Sequence, residues 1–233
     1  MLHFLILSIF AFFVNPKKTY EKHSPVYRFL IGYSSRVMMK VMRIHVKTEG
    51  QDLLPKDKHE RFLLVSNHRS NFDPILTWGI LSKYDIAFVS KPENFKVPIF
   101  GRLIRRCCFL PIDRSDPKSS MKTLIAAAQY IKEDKVSFGI YPEGTRSKSG
   151  ELLPFHNGVF KVAKMADVPI LVMTIEGTES IHANFPFHPS YVTIKYVRVY
   201  KKEQVSASST KELGDSIRQD MLTHMGQEGV INE

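Results

Sequence analysis

The stretch Arg61-Phe62-Leu63-Leu64-Val65-Ser66-Asn67-His68-Arg69-Ser70-Asn71-Phe72-Asp73-Pro74 decides how this chain is read. Phe62 through Val65 is a short apolar run, the pattern of a strand buried on both faces. The polar segment after it ends at Asp73-Pro74, and Ile75, Leu76, Trp78, Ile80 and Leu81 then continue as an apolar helix pattern. His68 therefore stands just past the carboxyl end of a strand, and Asp73 at the start of a helix. In open α/β sheets that edge is where ligands bind.

Outward from this stretch the same unit recurs. Asp85–Ser90 reads as a strand ending at Lys91, and Phe109–Arg114 as a strand ending in a cation. A helix covers about Ser119 to Lys132. Val136–Tyr141 reads as a third strand, running into Pro142-Glu143-Gly144-Thr145-Arg146-Ser147. Tyr191–Tyr200 alternates like a half-exposed strand, and a helix follows near Lys211–Leu222. Strands alternating with helices predict an α/β domain with a mixed, largely parallel sheet flanked by helices. His68, Lys91, Arg114, Glu143 and Arg146 all fall at strand ends, so the topology gathers them at one edge.

His68 and Asp73 suit proton transfer. Neutral imidazole removes a hydroxyl proton near pH 7. A carboxylate beside its other nitrogen fixes the tautomer and balances the imidazolium that forms. Four intervening residues across a tight loop bring the two together. The ordinary alternative is that Asp73 caps the helix that Pro74 opens. Arg provides a two-pronged fork for phosphate and Lys a point charge, whereas Lys91 or Arg114 taken singly reads equally as a solvated strand end.

Bulk composition narrows the class. The 233 residues suit one α/β domain with a short appendage, and 43 % of them are hydrophobic, enough for a sizeable core. The formal charge is +10. Residues 15–47 contain eight basic side chains and one acidic, and residues 1–14 contain no charged side chain, so the first 47 residues carry +7 of that total. The basic excess belongs to the N-terminal segment, and it favours anionic partners. Cys107 and Cys108 are adjacent, which fits neither a disulfide with each other nor a metal site, and suits a reducing compartment.

Residues 2–14 are almost wholly apolar. As a helix, residues 1–14 would extend roughly 21 Å, against about 30 Å for a bilayer core. The run is too short to span, and it lacks the basic start and small-x-small end of a signal peptide. Beyond Asn15-Pro16, a second helix is predicted from Ser24-Pro25. Val26, Leu30, Tyr33, Val37, Val41 and Ile44 make its apolar face, with Arg28, Arg36, Lys40, Arg43 and Lys47 opposite. The expected division is a membrane-associating two-helix anchor at 1–47 and a catalytic domain at 48–233, lying on an anionic membrane surface.

Asn67-His68-Arg69-Ser70-Asn71-Phe72-Asp73, with Tyr141-Pro142-Glu143-Gly144-Thr145-Arg146-Ser147, resembles the glycerolipid acyltransferases, especially the bacterial 1-acyl-glycerol-3-phosphate acyltransferases. Gly101–Arg114 looks like the family's second block and Val168–Met173 like its fourth, so the likeness runs in order over about residues 60–180. The resemblance implies His68 as base and Asp73 as its partner. It implies Glu143, Gly144, Thr145 and Arg146 as the glycerol-phosphate site, with Lys91 and Arg114 helping to hold the phosphate. It also implies a two-helix membrane motif at the N-terminus. Two positions depart from the pattern. Cys108 stands where Gly is usual, and Phe155-His156-Asn157-Gly158 lacks a common Lys.

The expected reaction moves an acyl chain from acyl-CoA or acyl-carrier protein to the 2-hydroxyl of lysophosphatidic acid, giving phosphatidic acid in phospholipid biosynthesis. No cofactor or metal is called for, and the expected location is the cytoplasmic face of the cell membrane. Another lysophospholipid or glycerol 3-phosphate is the alternative acceptor. The rival class is a non-enzymatic basic module on anionic membranes, which explains the charge but not the strand-end residues. Nucleic acid is disfavoured, because the basic helix lacks interleaved aromatic platforms. There is no Gly-x-Ser-x-Gly elbow, phosphate-cradling P-loop or His-Glu-x-x-His motif.

Overall fold

The computed structural model describes residues 2–227; Met1 and the 228–233 end of the expected domain lie outside it. Seven strands form one sheet: β1 (Ile44–Glu49), β2 (Leu63–Ser66), β3 (Ile86–Ser90), β4 (Leu110–Pro111), β5 (Ser137–Ile140), β6 (Ile170–Glu176) and β7 (Ser190–Tyr200). Their order is β1-β7-β6-β2-β5-β3-β4. Only β6 and β7 pair antiparallel, so the sheet is mixed and largely parallel as expected. The inner strands β2 and β5 are buried along their whole length, which is why their sequences read as unbroken apolar runs.

Nine helices accompany the sheet among the described residues: α1 (Leu2–Phe12), α2 (Pro25–Val41), α3 (Phe72–Ile80), α4 (Phe100–Arg105), α5 (Pro117–Lys132), α6 (Lys161–Ala166), α7 (Ile181–Asn184), α8 (Lys202–Ala207) and α9 (Thr210–Met225). Their starts follow local chemistry. The Asp116 side chain accepts the Lys118 N–H ahead of α5, with Pro117 in the first turn. Ser209 and Glu212 form a reciprocal capping box at α9. Helix α2 packs on α3, α5 on α6, and α9 on β6 and β7.

Two N-terminal expectations are corrected. The predicted second helix stops at Val41, Arg43 turns the chain at φ 54°, and Ile44–Glu49 becomes β1, paired with β7. The sheet thus begins ahead of residue 47, where the sequence placed the edge of the anchor. The orientation of α2 also differs. Tyr27, Arg28, Leu30 and Ile31 face the protein, while Val26, Phe29, Tyr33 and Val41 are exposed. Arg28 is no part of a solvated cationic face. Its guanidinium donates to the carbonyls of Ile86 at 3.0 Å and Cys107 at 3.1 Å, and Nε donates to Nδ1 of His23 at 2.9 Å. A buried charge is tolerable when paired in this way, and it ties α2 to the start of β3. Helix α1 folds back on α2, with the Tyr27 hydroxyl donating to the Phe10 carbonyl at 2.9 Å. No helix among the described residues is long and apolar enough to cross a membrane.

Candidate active site

The site lies where β2 leaves the sheet between β5 and β6. The Asn67 side chain continues the strand pairing there. Its amide donates to the Ile175 carbonyl at 2.9 Å and its oxygen accepts the Ile175 N–H at 2.8 Å. The loop therefore turns sharply without abandoning the backbone groups of β6.

His68 and Asp73 meet across that loop, Nδ1 to Oδ2 at 2.7 Å. Asp73 is 0 % exposed. It does not cap α3 by its own side chain. Instead Oδ2 also accepts the N–H groups of Arg69 at 2.7 Å and Ser70 at 2.8 Å, and Oδ1 accepts the Thr178 hydroxyl. Four donors thus satisfy a carboxyl group that has no access to water. With its Nδ1 proton directed at Asp73, a neutral His68 keeps the lone pair on Nε2. Tyr141 stacks on the imidazole, centroids 4.2 Å apart and planes at 16°, and Phe88 stacks behind Tyr141 at 5.8 Å. The ring is thus held in plane by packing and along its edge by hydrogen bonding.

Glu143 has a different place from the one the resemblance implies. Its carboxylate is turned inward, accepting the N–H of His68 at 2.6 Å and of Leu153 at 2.9 Å. The Ser147 N–H donates to the His68 carbonyl at 2.8 Å. The two motifs are therefore fastened to each other through backbone, and Glu143 does not line the cavity. Burial pushes its carboxyl up to about 7, partly offset by the two N–H donors. Gly144 does not line it either. It adopts φ +67°, and a Cβ there would lie 2.8 Å from the His156 ring, so the turn needs glycine. Its carbonyl accepts from the Arg114 guanidinium.

The cavity beside His68 has a volume of about 310 Å³. Lys91, Arg114, Thr145 and Arg146 line it, brought from the ends of β3, β4 and β5. Ile75, Trp78, Phe88, Phe100 and Phe109 supply its apolar side. The lining thus combines cations that can hold an anion with apolar side chains that can meet a hydrocarbon chain, beside the imidazole. Among the described residues, the side chains of Lys91 and Arg146 form no hydrogen bond or ion pair, so both charges are open to a ligand. Partial burial lowers the Arg114 guanidinium from its usual range. Arg69 points elsewhere, to Glu179 at 3.1 Å and the Gly150 carbonyl at 2.8 Å. The cysteines are buried, with thiols pushed up to about 12 for Cys107 and about 11 for Cys108, so neither is a thiolate at neutral pH. Cys108 takes φ 62°, the conformation that suits the glycine usual there.

The sequence did not point to Tyr141 or Thr178. Tyr141 sits inside a quoted motif, but its stacking depends on β5 lying beside β2. Thr178 follows β6 with no local signal, because its partner is 105 residues away.

A family model described as Acyltransferase matches residues 45–176. A 1-acyl-sn-glycerol-3-phosphate acyltransferase of Limnanthes douglasii is 30 % identical over 174 residues, 74 % of this chain and 59 % of that protein. The Escherichia coli protein of the same description is 27 % identical over 177 residues, 76 % of this chain and 71 % of its own. The chain spans little more than half the length of several such relatives, 54 % for the one from Cocos nucifera. The crystal structure of a lysophosphatidic acid acyltransferase, PlsC, from Thermotoga maritima superposes with a TM-score of 0.67 at 23 % identity, covering 100 % of this chain and 90 % of that one. That likeness is one of fold. The family match begins at the second residue of β1, ends on the last of β6 and takes in every residue around the cavity, and the chain belongs to the Acyltransferase family.

Proposed function

We propose that this enzyme transfers an acyl group from an acyl thioester to the 2-hydroxyl of lysophosphatidic acid, giving phosphatidic acid. The observation that carries the reading is the His68–Asp73 pair beside a cavity lined by both cations and aromatic side chains. Nε2 of His68 takes the hydroxyl proton as the oxygen attacks the thioester carbonyl. The new C–O bond gives a tetrahedral oxyanion, which collapses by breaking the C–S bond. The imidazolium returns the proton to the departing thiolate, so a free thiol is released. Asp73 balances the charge on the ring in between. Arg146, Lys91 and Arg114 hold the acceptor phosphate, with Thr145 beside them, and Glu143 and Gly144 shape the loop that presents them. The relatives' names support lysophosphatidic acid as acceptor. The donor is acyl-CoA or acyl-carrier protein.

The surroundings suit a lipid substrate. Phe12 and Phe13 are 76 % and 75 % exposed, and Phe4, Leu5, Ile9, Phe29 and Val41 are exposed with them. We read α1 and α2 as a monotopic anchor that rests these side chains in the cytoplasmic face of the membrane, assisted by anionic lipid. Helices α1 and α2 then form the membrane-facing unit, and β1 begins the acyltransferase domain.

The test is thiol release from acyl-CoA and acyl-carrier protein with lysophosphatidic acid, lysophosphatidylcholine, glycerol 3-phosphate or monoacylglycerol, products being read by mass spectrometry. Lysophosphatidic acid should be turned over fastest, and His68→Ala should lose roughly 10²–10⁴ in kcat. Absence of turnover with every pair, from protein bound to vesicles, would favour a non-catalytic membrane module.

A further inference from the structure

The Asp73 carboxylate has two oxygens with different tasks. Oδ2 faces His68 and the loop N–H groups, whereas Oδ1, among the described residues, accepts from the Thr178 hydroxyl alone. Both residues are 0 % exposed, so water cannot take the place of that donor. Thr178 starts the short turn Thr178–Ser180 after β6. Gly177 directs it inward from φ +88°, a position where a Cβ would fall 2.2 Å from the Tyr191 carbonyl oxygen. The turn is therefore specialised in backbone conformation, and it delivers one hydroxyl to one carboxylate oxygen. Thr178 lies beyond residues 45–176, the reach of the family match.

We propose that Thr178 is a positioning residue for acyl transfer, the third member of a Thr178–Asp73–His68 chain. The proposal rests on the reading of His68 as base. A carboxylate held only at Oδ2 can turn about its Cβ–Cγ bond. Pinning Oδ1 fixes its plane and keeps Oδ2 on Nδ1 of His68. The hydroxyl also stabilises the ionised carboxylate. Without it, Oδ1 is a buried acceptor with no partner, and the coupled Asp73–His68 pair holds an added proton more tightly. The pair must be free of that proton to act as base. Loss of the hydroxyl therefore moves the acidic limb of the rate profile to higher pH. A threonine that served packing alone would leave that limb where it is.

The experiment uses the full chain on vesicles of phosphatidylcholine and phosphatidylglycerol, with palmitoyl-CoA and lysophosphatidic acid as probes. Thr178→Val should lower kcat roughly ten- to a hundredfold. The KM for lysophosphatidic acid should stay within about twofold, and the acidic limb of kcat should move up in pH. Thr178→Ser keeps the hydroxyl and should restore both. Thr178→Cys keeps the size with a weaker donor and should show the same shift in smaller measure, which covers the case of a Val variant that does not fold. A Val or Cys variant with the wild-type kcat and limb overturns the proposal, as does a Ser variant as impaired as Val. His68→Ala, assayed alongside, separates the two readings. Full activity there overturns the assignment of the base, while an inactive His68→Ala with an unaffected Thr178→Val overturns Thr178 alone.

Discussion

Oε1 of Glu143 accepts the backbone N–H of His68 at 2.6 Å, so the loop after β5 sets the backbone position of the proposed base at the end of β2. Its other oxygen takes the Leu153 N–H at 2.9 Å. A carboxylate serves both donors. An amide cannot, because its NH2 would confront one of the two N–H groups. Glu143→Gln should therefore destabilise the fold by about 1–3 kcal/mol. It should also cut kcat roughly tenfold or more through displacement of the imidazole. Thermal unfolding and steady-state kinetics on the same preparation measure the two effects. A Gln variant equal to wild type in both would mean that the bridge holds nothing in place.

The same residue makes stability depend on pH. Burial lifts the Glu143 carboxyl from 4.5 to about 7 in the folded protein. Between those values the folded state retains a proton that the unfolded chain has released, so stability falls as pH rises from about 4.5 to about 7. Above that window both states are ionised and the loss is complete, at most roughly 3 kcal/mol. Wild type should lose this increment relative to Glu143→Leu when unfolding is followed between pH 5 and pH 8. Parallel stability curves for the two proteins would assign the pH dependence to other groups.

The inner strands were legible because β2, β3 and β5 are nearly continuous apolar runs, and because each ends in a polar motif that marks the sheet edge. That placed His68, Lys91, Arg114 and Arg146 around one cavity. The strand β1 was not legible. Ile44 continues the three-and-four spacing of α2, and only the left-handed turn at Arg43 separates the two. The outward face of α2 was misread because the helix is apolar on both sides. Leu30 and Ile31 are matched by Val26 and Phe29, and spacing alone does not tell core from membrane. The resemblance alone groups Glu143 with Arg146 at the phosphate. The Glu143 carboxylate instead reaches the backbone of a residue 75 positions away, a contact that only the parallel pairing of β2 and β5 creates.

Membrane attachment should follow the exposed aromatics more than the charges. Replacing Phe12, Phe13 and Phe29 by Ser should weaken binding to vesicles by about 1.5–3 kcal/mol for each side chain that is fully inserted. Neutralising exposed Arg36 and Lys40 should cost up to about 1 kcal/mol each, and less in high salt. Vesicle co-sedimentation across ionic strength separates the terms. Complete release of the wild-type protein by moderate salt would rule out insertion of the apolar face.

Arg146 supplies the sharpest test of the acceptor. It lines the cavity beside His68 and, among the described residues, its side chain makes no hydrogen bond or ion pair, unlike Arg114, whose guanidinium donates to the Gly144 carbonyl. If it holds the phosphate, Arg146→Ala should raise KM for lysophosphatidic acid and lower kcat as the hydroxyl drifts from His68. The combined loss should be about 2–5 kcal/mol if the pair is desolvated. Arg146→Lys should recover only part of it, since a point charge replaces the fork. The decisive comparison is monoacylglycerol, which lacks the phosphate. Wild type should already be poor with it, and Arg146→Ala should then change little, because the contact it removes is not made. Such non-additivity marks a direct interaction. A side chain that merely braced the loop would harm both acceptors by the same factor. Equal losses would take Arg146 out of the phosphate site and leave Lys91, which also lines the cavity with no side-chain partner among the described residues, as the group to change next.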